Sequence, residues 1–138
     1  MRYLRSLLIV AVLTAAPHPT AFAGDTAEVT KAVWAQHVAR ATAGDIDAVM
    51  EDFSDDSVMV TPRGSLEGKT AIRGFFEEFL AGFTPEIAES TVVNSETVHG
   101  KVVVFNFTIG AAGRTFHDTA LIEDGKIKVL ATVDYPAE

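Results

Sequence analysis

Thr42-Ala-Gly-Asp-Ile-Asp-Ala-Val-Met-Glu-Asp-Phe-Ser-Asp-Asp-Ser-Val-Met-Val-Thr-Pro62 changes its period twice, and each change has a physical signal. Gly44 stops the run before it, because glycine ends helices at little steric cost. Asp45 is a good N-cap for a short helix, since its carboxylate can accept from a first-turn amide. Ile46, Val49, Met50 and Phe53 then recur at helical spacing, and Ser54-Asp55-Asp56 closes that helix. Ser57 to Thr61 is long and apolar enough for a strand, which Pro62-Arg63-Gly64 breaks.

Outward from this stretch the same rules assign the rest of the chain. Between Thr26 and Ala43, the residues Thr30, Val33, Trp34, His37, Val38 and Ala41 fall on one stripe, with Glu28, Lys31 and Arg40 elsewhere, which predicts an amphipathic first helix. Beyond Gly68, Ala71, Ile72, Phe75, Phe76, Phe79, Leu80 and Phe83 cover half a helical wheel, with Arg73, Glu77 and Glu78 opposite. After Pro85 the pattern turns to β-rich runs over Ala88–Val98, Val102–Ile109 and Thr115–Glu123, joined at His99-Gly100 and Gly110–Gly113. Asp124-Gly125 is a strong hairpin turn into a last run, Lys126–Asp134. Helices gathered early and a strand meander late predict an α+β domain, with three N-terminal helices on one face of a curved, mainly antiparallel sheet.

Composition narrows the chemistry. A length of 138 residues suits a single domain, and 48% hydrophobic residues with 9 Phe suffice for a core. With no cysteine, disulfide scaffolds, thiolate metal sites and thiol nucleophiles are excluded. A net charge of -8 repels phosphate backbones, so nucleic acid is not an expected partner. At the N-terminus, Arg2 and Arg5 precede an apolar run from Leu7 to Leu13, then Pro17, Pro19 and the small-x-small triplet Ala21-Phe22-Ala23 before Gly24. This order matches a secretory signal peptide over 1–23, leaving a domain over 24–138 that is exported, periplasmic or secreted. The apolar run is shorter than the ~20 residues that span a bilayer, so no membrane association is expected after cleavage; an uncleaved N-terminal anchor is the other reading.

The Thr42–Pro62 stretch, followed by Leu66-Glu-Gly-Lys-Thr-Ala-Ile-Arg-Gly-Phe-Phe76 and by His117-Asp-Thr-Ala-Leu-Ile-Glu-Asp-Gly-Lys-Ile127, resembles the nuclear transport factor 2-like superfamily, and most closely its SnoaL-like branch. The resemblance implies a cone-like fold in which three helices and a strongly bent sheet enclose an apolar pocket, in a homodimer formed through the outer sheet face. That superfamily includes ketosteroid isomerases, polyketide cyclases and dehydratases, and also proteins that only bind or assemble, so the fold does not settle function. Its ketosteroid isomerase-like members place a Tyr on the first helix, an Asp base at the end of the first strand and a protonated Asp on a later strand. The matching positions here are His37, Thr61 and Asp118. Thr61 cannot take up a proton at neutral pH, which argues against ketosteroid isomerisation.

Two residues are the candidates for chemistry. Asp118 alternates with Phe116, Ala120 and Ile122, so it should share their inward face, where burial would raise its pKa. It is either an acid–base group or a structural carboxylate that accepts hydrogen bonds from a neighbouring element. His37, on the apolar stripe of the first helix, is either its partner in an acid–base pair or a core histidine satisfied by a backbone carbonyl. Trp34, Met59, Thr61, Phe76, Phe79, Phe105 and Phe107 are the expected pocket lining, with ordinary core packing as the other role for the apolar ones. His99 and His117 lack the clustered spacing of a metal site, and there is no phosphate loop and no nucleophile elbow. The expectation is an exported, cofactor-free, metal-free, dimeric protein that binds a small apolar or cyclic molecule, with proton transfer by Asp118 assisted by His37. The competing reading is a non-catalytic binding or assembly module whose interior is filled by Phe side chains.

Overall fold

The computed structural model describes residues 25–138, so the expected signal peptide over 1–23 lies outside the described residues. Helix α1 (Thr26–Thr42) carries Glu28 in its first turn and Arg40 in its last, the arrangement that the helix dipole favours. Helix α2 (Ile46–Glu51) follows after a short turn, and the Asp45 carboxylate accepts from the Ala48 amide at 3.0 Å, as the sequence predicts. Then come β1 (Phe53–Thr61), β2 (Gly64–Glu67) and α3 (Gly68–Ala81). A short helix α4 (Pro85–Glu89) leads into β3 (Thr91–His99), β4 (Val102–Ile109), a 3-10 turn at Gly110–Ala112, β5 (Arg114–Glu123) and β6 (Lys126–Pro136). No described helix is long and apolar enough to cross a membrane.

The six strands form one sheet in the order β2-β1-β6-β5-β4-β3. Four of its pairings are antiparallel, while β1 runs parallel to β6, with Met59 opposite Leu130. The architecture is the expected α+β one, with helices on a curved mixed sheet. Register shifts at Phe53/Val58, Val93/Ser95 and Leu121/Ile122 are bulges, and bulges bend the strands that carry them. The Asp124-Gly125 turn has positive φ at both residues, as a tight hairpin requires.

Three boundaries differ from the sequence reading. Phe53 to Asp56 belong to β1, not to the end of a helix, because Phe53 pairs with Ile127 of the last strand and its ring enters the core. Pro62-Arg63-Gly64 is a hairpin turn rather than a simple break, since β2 returns antiparallel along β1. Ala88 lies in α4, which Pro85 starts and Thr84 caps by accepting from the Ile87 amide at 3.3 Å. The first comes from a partner distant in sequence, and the other two from elements of 4 and 5 residues, too short to read from periodicity.

The core lies between α1, α2, α3 and the concave sheet face. Trp34, Val49, Phe53, Met59, Ile72, Val103 and Ile127 are sealed from solvent, each aliphatic or phenyl side chain contributing about 1.5–3 kcal/mol. The bulge in β1 is held by Ser57, whose fully buried hydroxyl accepts from the Ser54 amide at 2.9 Å and donates to the Ile127 carbonyl at 2.7 Å. Replacing Ser57 by Ala leaves both backbone groups short of a partner inside the protein, so S57A should lower stability by about 1–3 kcal/mol. Urea unfolding monitored by circular dichroism checks this, and an unchanged midpoint would refute it.

Candidate functional site

The pattern of Phe residues builds a hollow between the helices and the sheet. On α3, Phe75, Phe76 and Phe79 point from one face, and Phe83 just beyond the helix continues it. On the sheet, alternation turns Phe105 and Phe107 of β4 and Phe116 and Asp118 of β5 inward. The rings meet across the space: Phe107 stacks on Phe116 with centroids 4.9 Å apart, and Phe79 meets Phe116 edge-on at 5.9 Å. They leave a cavity of about 280 Å³, bounded also by Trp34, His37, Val38 and Ala41 of α1 and by Met59, Leu130 and Thr132 of the sheet.

Most of the residues singled out in the sequence meet here. Trp34, His37, Met59, Phe76, Phe79, Phe105, Phe107 and Asp118 all line the cavity. Thr61 does not. It shares the face of Met59 but lies two residues further along β1, about 6–7 Å, which carries it past the cavity to the β1–β2 turn. There its hydroxyl donates to the Gly64 carbonyl at 3.0 Å and accepts from the Arg63 amide at 3.2 Å, beside a separate surface cleft bounded by Arg63, Ser65 and Glu78.

Asp118 is the carboxylate on the cavity wall. Part of the residue remains accessible, while its Oδ1 is enclosed and has no hydrogen-bond partner. Desolvation pushes its pKa up to about 6, opposed by the hydroxyl of its cross-strand neighbour Thr132 and by the imidazoles of His37 and His117. A carboxyl with that value titrates just below neutrality and can serve in either protonation state. The Trp34 indole Nε1, also enclosed and without a partner, is a second unsatisfied polar atom on a cavity-lining residue.

The expected hydrogen bond between His37 and Asp118 is absent. His37 gives its Nδ1 instead to Asp52 Oδ2 at 3.1 Å. Asp52 went unnoticed in the sequence, yet it is the centre of a buried network, being only 2% exposed. Arg40 Nη1 donates to its Oδ1 at 2.6 Å and to the Ala48 carbonyl at 3.0 Å, and Arg40 Nη2 lies 3.3 Å from Glu51 Oε2. One signal was available: His37 and Arg40 are three residues apart, so they share one side of α1, and a single carboxylate facing that side can serve both. His117 lies on the opposite sheet face, where its Nε2 is 2.6 Å from the Tyr135 hydroxyl and from Asn106 Nδ2. Among the described residues no group of three or more His, Asp or Glu side chains is arranged to hold a metal ion.

Solved structures share this architecture. A nuclear transport factor 2-like protein from Burkholderia xenovorans is similar with 18% identity and a TM-score of 0.63, over 83% of this chain and 88% of that one. A steroid delta-isomerase from Pseudomonas aeruginosa is similar with 16% identity and a TM-score of 0.65, over 78% of this chain and 80% of that one. A de novo designed protein with a curved β-sheet is similar with 19% identity and a TM-score of 0.66, over 79% of this chain and 87% of that one. At such identities the likeness concerns the fold alone. No curated protein matches in sequence. The SnoaL-like domain model matches residues 34–130, from Trp34 on the first helix to Leu130 on the last strand, and on that match the chain belongs to the SnoaL-like family.

Proposed function

We propose that this is an exported, cofactor-independent SnoaL-like protein that takes a small apolar or cyclic molecule into its cavity, with Asp118 as a proton-transfer group assisted by His37. The observation that carries this reading is Asp118 itself, a carboxyl on the wall of a largely apolar cavity, with one oxygen enclosed and unpartnered. An apolar wall with a few polar groups is the usual form of a small-molecule site. Above about pH 6 the carboxylate can accept a proton from a bound molecule, and His37 across the helix–sheet interface offers a second polar edge. The likeness to a protein named steroid delta-isomerase makes cyclic molecules the first class to test. The Arg2-to-Ala23 pattern supports export, and the exposed Val60, Val104, Val133 and Tyr135 on the outer sheet face support a homodimer.

A second reading, a binding module without turnover, is favoured by Thr61. The position that would carry a base in the ketosteroid isomerase-like pattern holds a hydroxyl, and it lies outside the cavity. Turnover separates the two readings: D118N should abolish it while leaving the fold intact, whereas a pure binder has no turnover to lose.

The raised value also predicts a pH signature. Because the folded pKa of about 6 exceeds the ordinary aspartate value of 3.8, protonated Asp118 favours the folded state. That contribution is complete below about pH 4 and is lost as pH rises through about 6, to a total of roughly 3 kcal/mol. D118N removes the buried charge, so the variant should be more stable than the parent near pH 8 and should lose that advantage near pH 4. Urea unfolding at both pH values checks the sign, and a carboxyl-carbon NMR titration with a midpoint near 4 would overturn it.

Trp34 is the single tryptophan and lines the cavity, so its fluorescence should respond saturably to toluene. Filling the space with A41F should weaken that response about tenfold or more. Loss of neither signal nor affinity in A41F would place the probe elsewhere. For the dimer, sedimentation should give two chains for the parent and one for V104E/V133E, since like charges on an apolar interface oppose association.

A further inference from the structure

The proposed chemistry makes no use of Asp52, although its carboxylate is buried and wholly engaged. Neither Asp52 nor Arg40 lines the cavity, while the His37 ring between them and the hollow does. Asp52 Oδ1 is occupied by the Arg40 guanidinium at 2.6 Å, and a guanidinium keeps its protons at any working pH. A carboxylate so paired is an acceptor at both oxygens. The proton in the 3.1 Å contact with His37 therefore belongs to Nδ1.

We propose that Asp52 is a positioning residue for His37, fixing the imidazole as its Nδ1–H tautomer and presenting an unprotonated Nε2 to the cavity, which selects apolar molecules that carry a hydroxyl. The selectivity rests on the cavity being a ligand site, as proposed above; the tautomer does not. The ring cannot easily turn over to exchange its nitrogens. Trp34 lies at 5.3 Å from it, and Phe53 and Phe76 meet it edge-on at 5.6 Å and 5.7 Å. Arg40 is in turn tied to the Ala48 carbonyl at 3.0 Å, so the carboxylate that orients His37 is itself held. Among the described residues nothing hydrogen-bonds to His37 Nε2.

The consequence concerns ligand chemistry. On the α1 wall the acceptor offered to a guest is His37 Nε2, since the Trp34 Nε1–H is enclosed, as is Asp118 Oδ1. A hydroxyl can donate to that nitrogen. A carbonyl would set its lone pairs against those of Nε2, and burying unpaired acceptors together is unfavourable. An alicyclic or aromatic alcohol is thus the better match than the corresponding ketone.

The test reads the tautomer directly. Long-range proton–nitrogen correlation spectra of the nitrogen-labelled full chain near pH 7, with H37Q as the assignment control, should show His37 protonated at Nδ1 and bare at Nε2. In D52N the carboxamide can donate to Nδ1, and the proton should move to Nε2. A wild-type His37 protonated at Nε2, or a tautomer that D52N does not change, would overturn the inference. Should D52N fail to fold, the wild-type spectrum still decides. Affinity measured by Trp34 fluorescence should favour cyclohexanol over cyclohexanone by about tenfold in the parent, and D52N should abolish or reverse that preference. Equal affinities in the parent would overturn the selectivity. If neither probe binds, the ligand site fails as well, while the nitrogen spectrum still decides the role of Asp52.

Discussion

Asp52 stands where three elements meet. Its backbone carbonyl accepts the Ile127 amide of β6 at 2.8 Å, and its carboxylate holds Arg40 and His37 of α1. It also caps the C-terminus of α2 and opens into β1. One residue thus fixes the helical layer against the parallel strand pair. The arrangement is demanding, because desolvating a carboxylate costs several kcal/mol unless its oxygens are all satisfied. Here both are engaged, and removing one partner would leave a buried charge uncompensated.

The cavity follows from that junction and from the bend of the sheet. With α1 packed over β3, β4 and β5, Trp34 and His37 form one wall. The bulged sheet forms the other, and the α3 phenyl rings reach across without filling the space. Aromatic rings enclose such a space well, since they are large and stiff and pack edge-to-face. The few polar atoms within it are consequently conspicuous. Leaving the enclosed Asp118 Oδ1 unpaired costs free energy.

A designed protein with a curved β-sheet shares this architecture, and a fold by itself does not settle function. Function therefore rests on what a particular chain places inside the cone. In this chain that is a carboxyl titrating near neutrality and an imidazole with one nitrogen already committed. Thr61, which carries no titratable group, lies at the end of β1 outside the hollow, beside a separate surface cleft.

Local chemistry was legible in the sequence. The Gly44-Asp45 turn, the half-apolar wheel of α3, the alternation of β4 and β5 and the Asp124-Gly125 hairpin all act through neighbours a few residues apart, so their signals lie within a short window. The same alternation put Phe105, Phe107 and Asp118 on the inward face. Tertiary structure alone decided the parallel pairing of β1 with β6, the start of β1 at Phe53, and the partner of His37. Each depends on groups far apart along the chain: Phe53 meets Ile127, and His37 meets Asp52 across the α1–α2 turn. Periodicity tells which face a side chain takes, and only the folded chain tells what waits on that face.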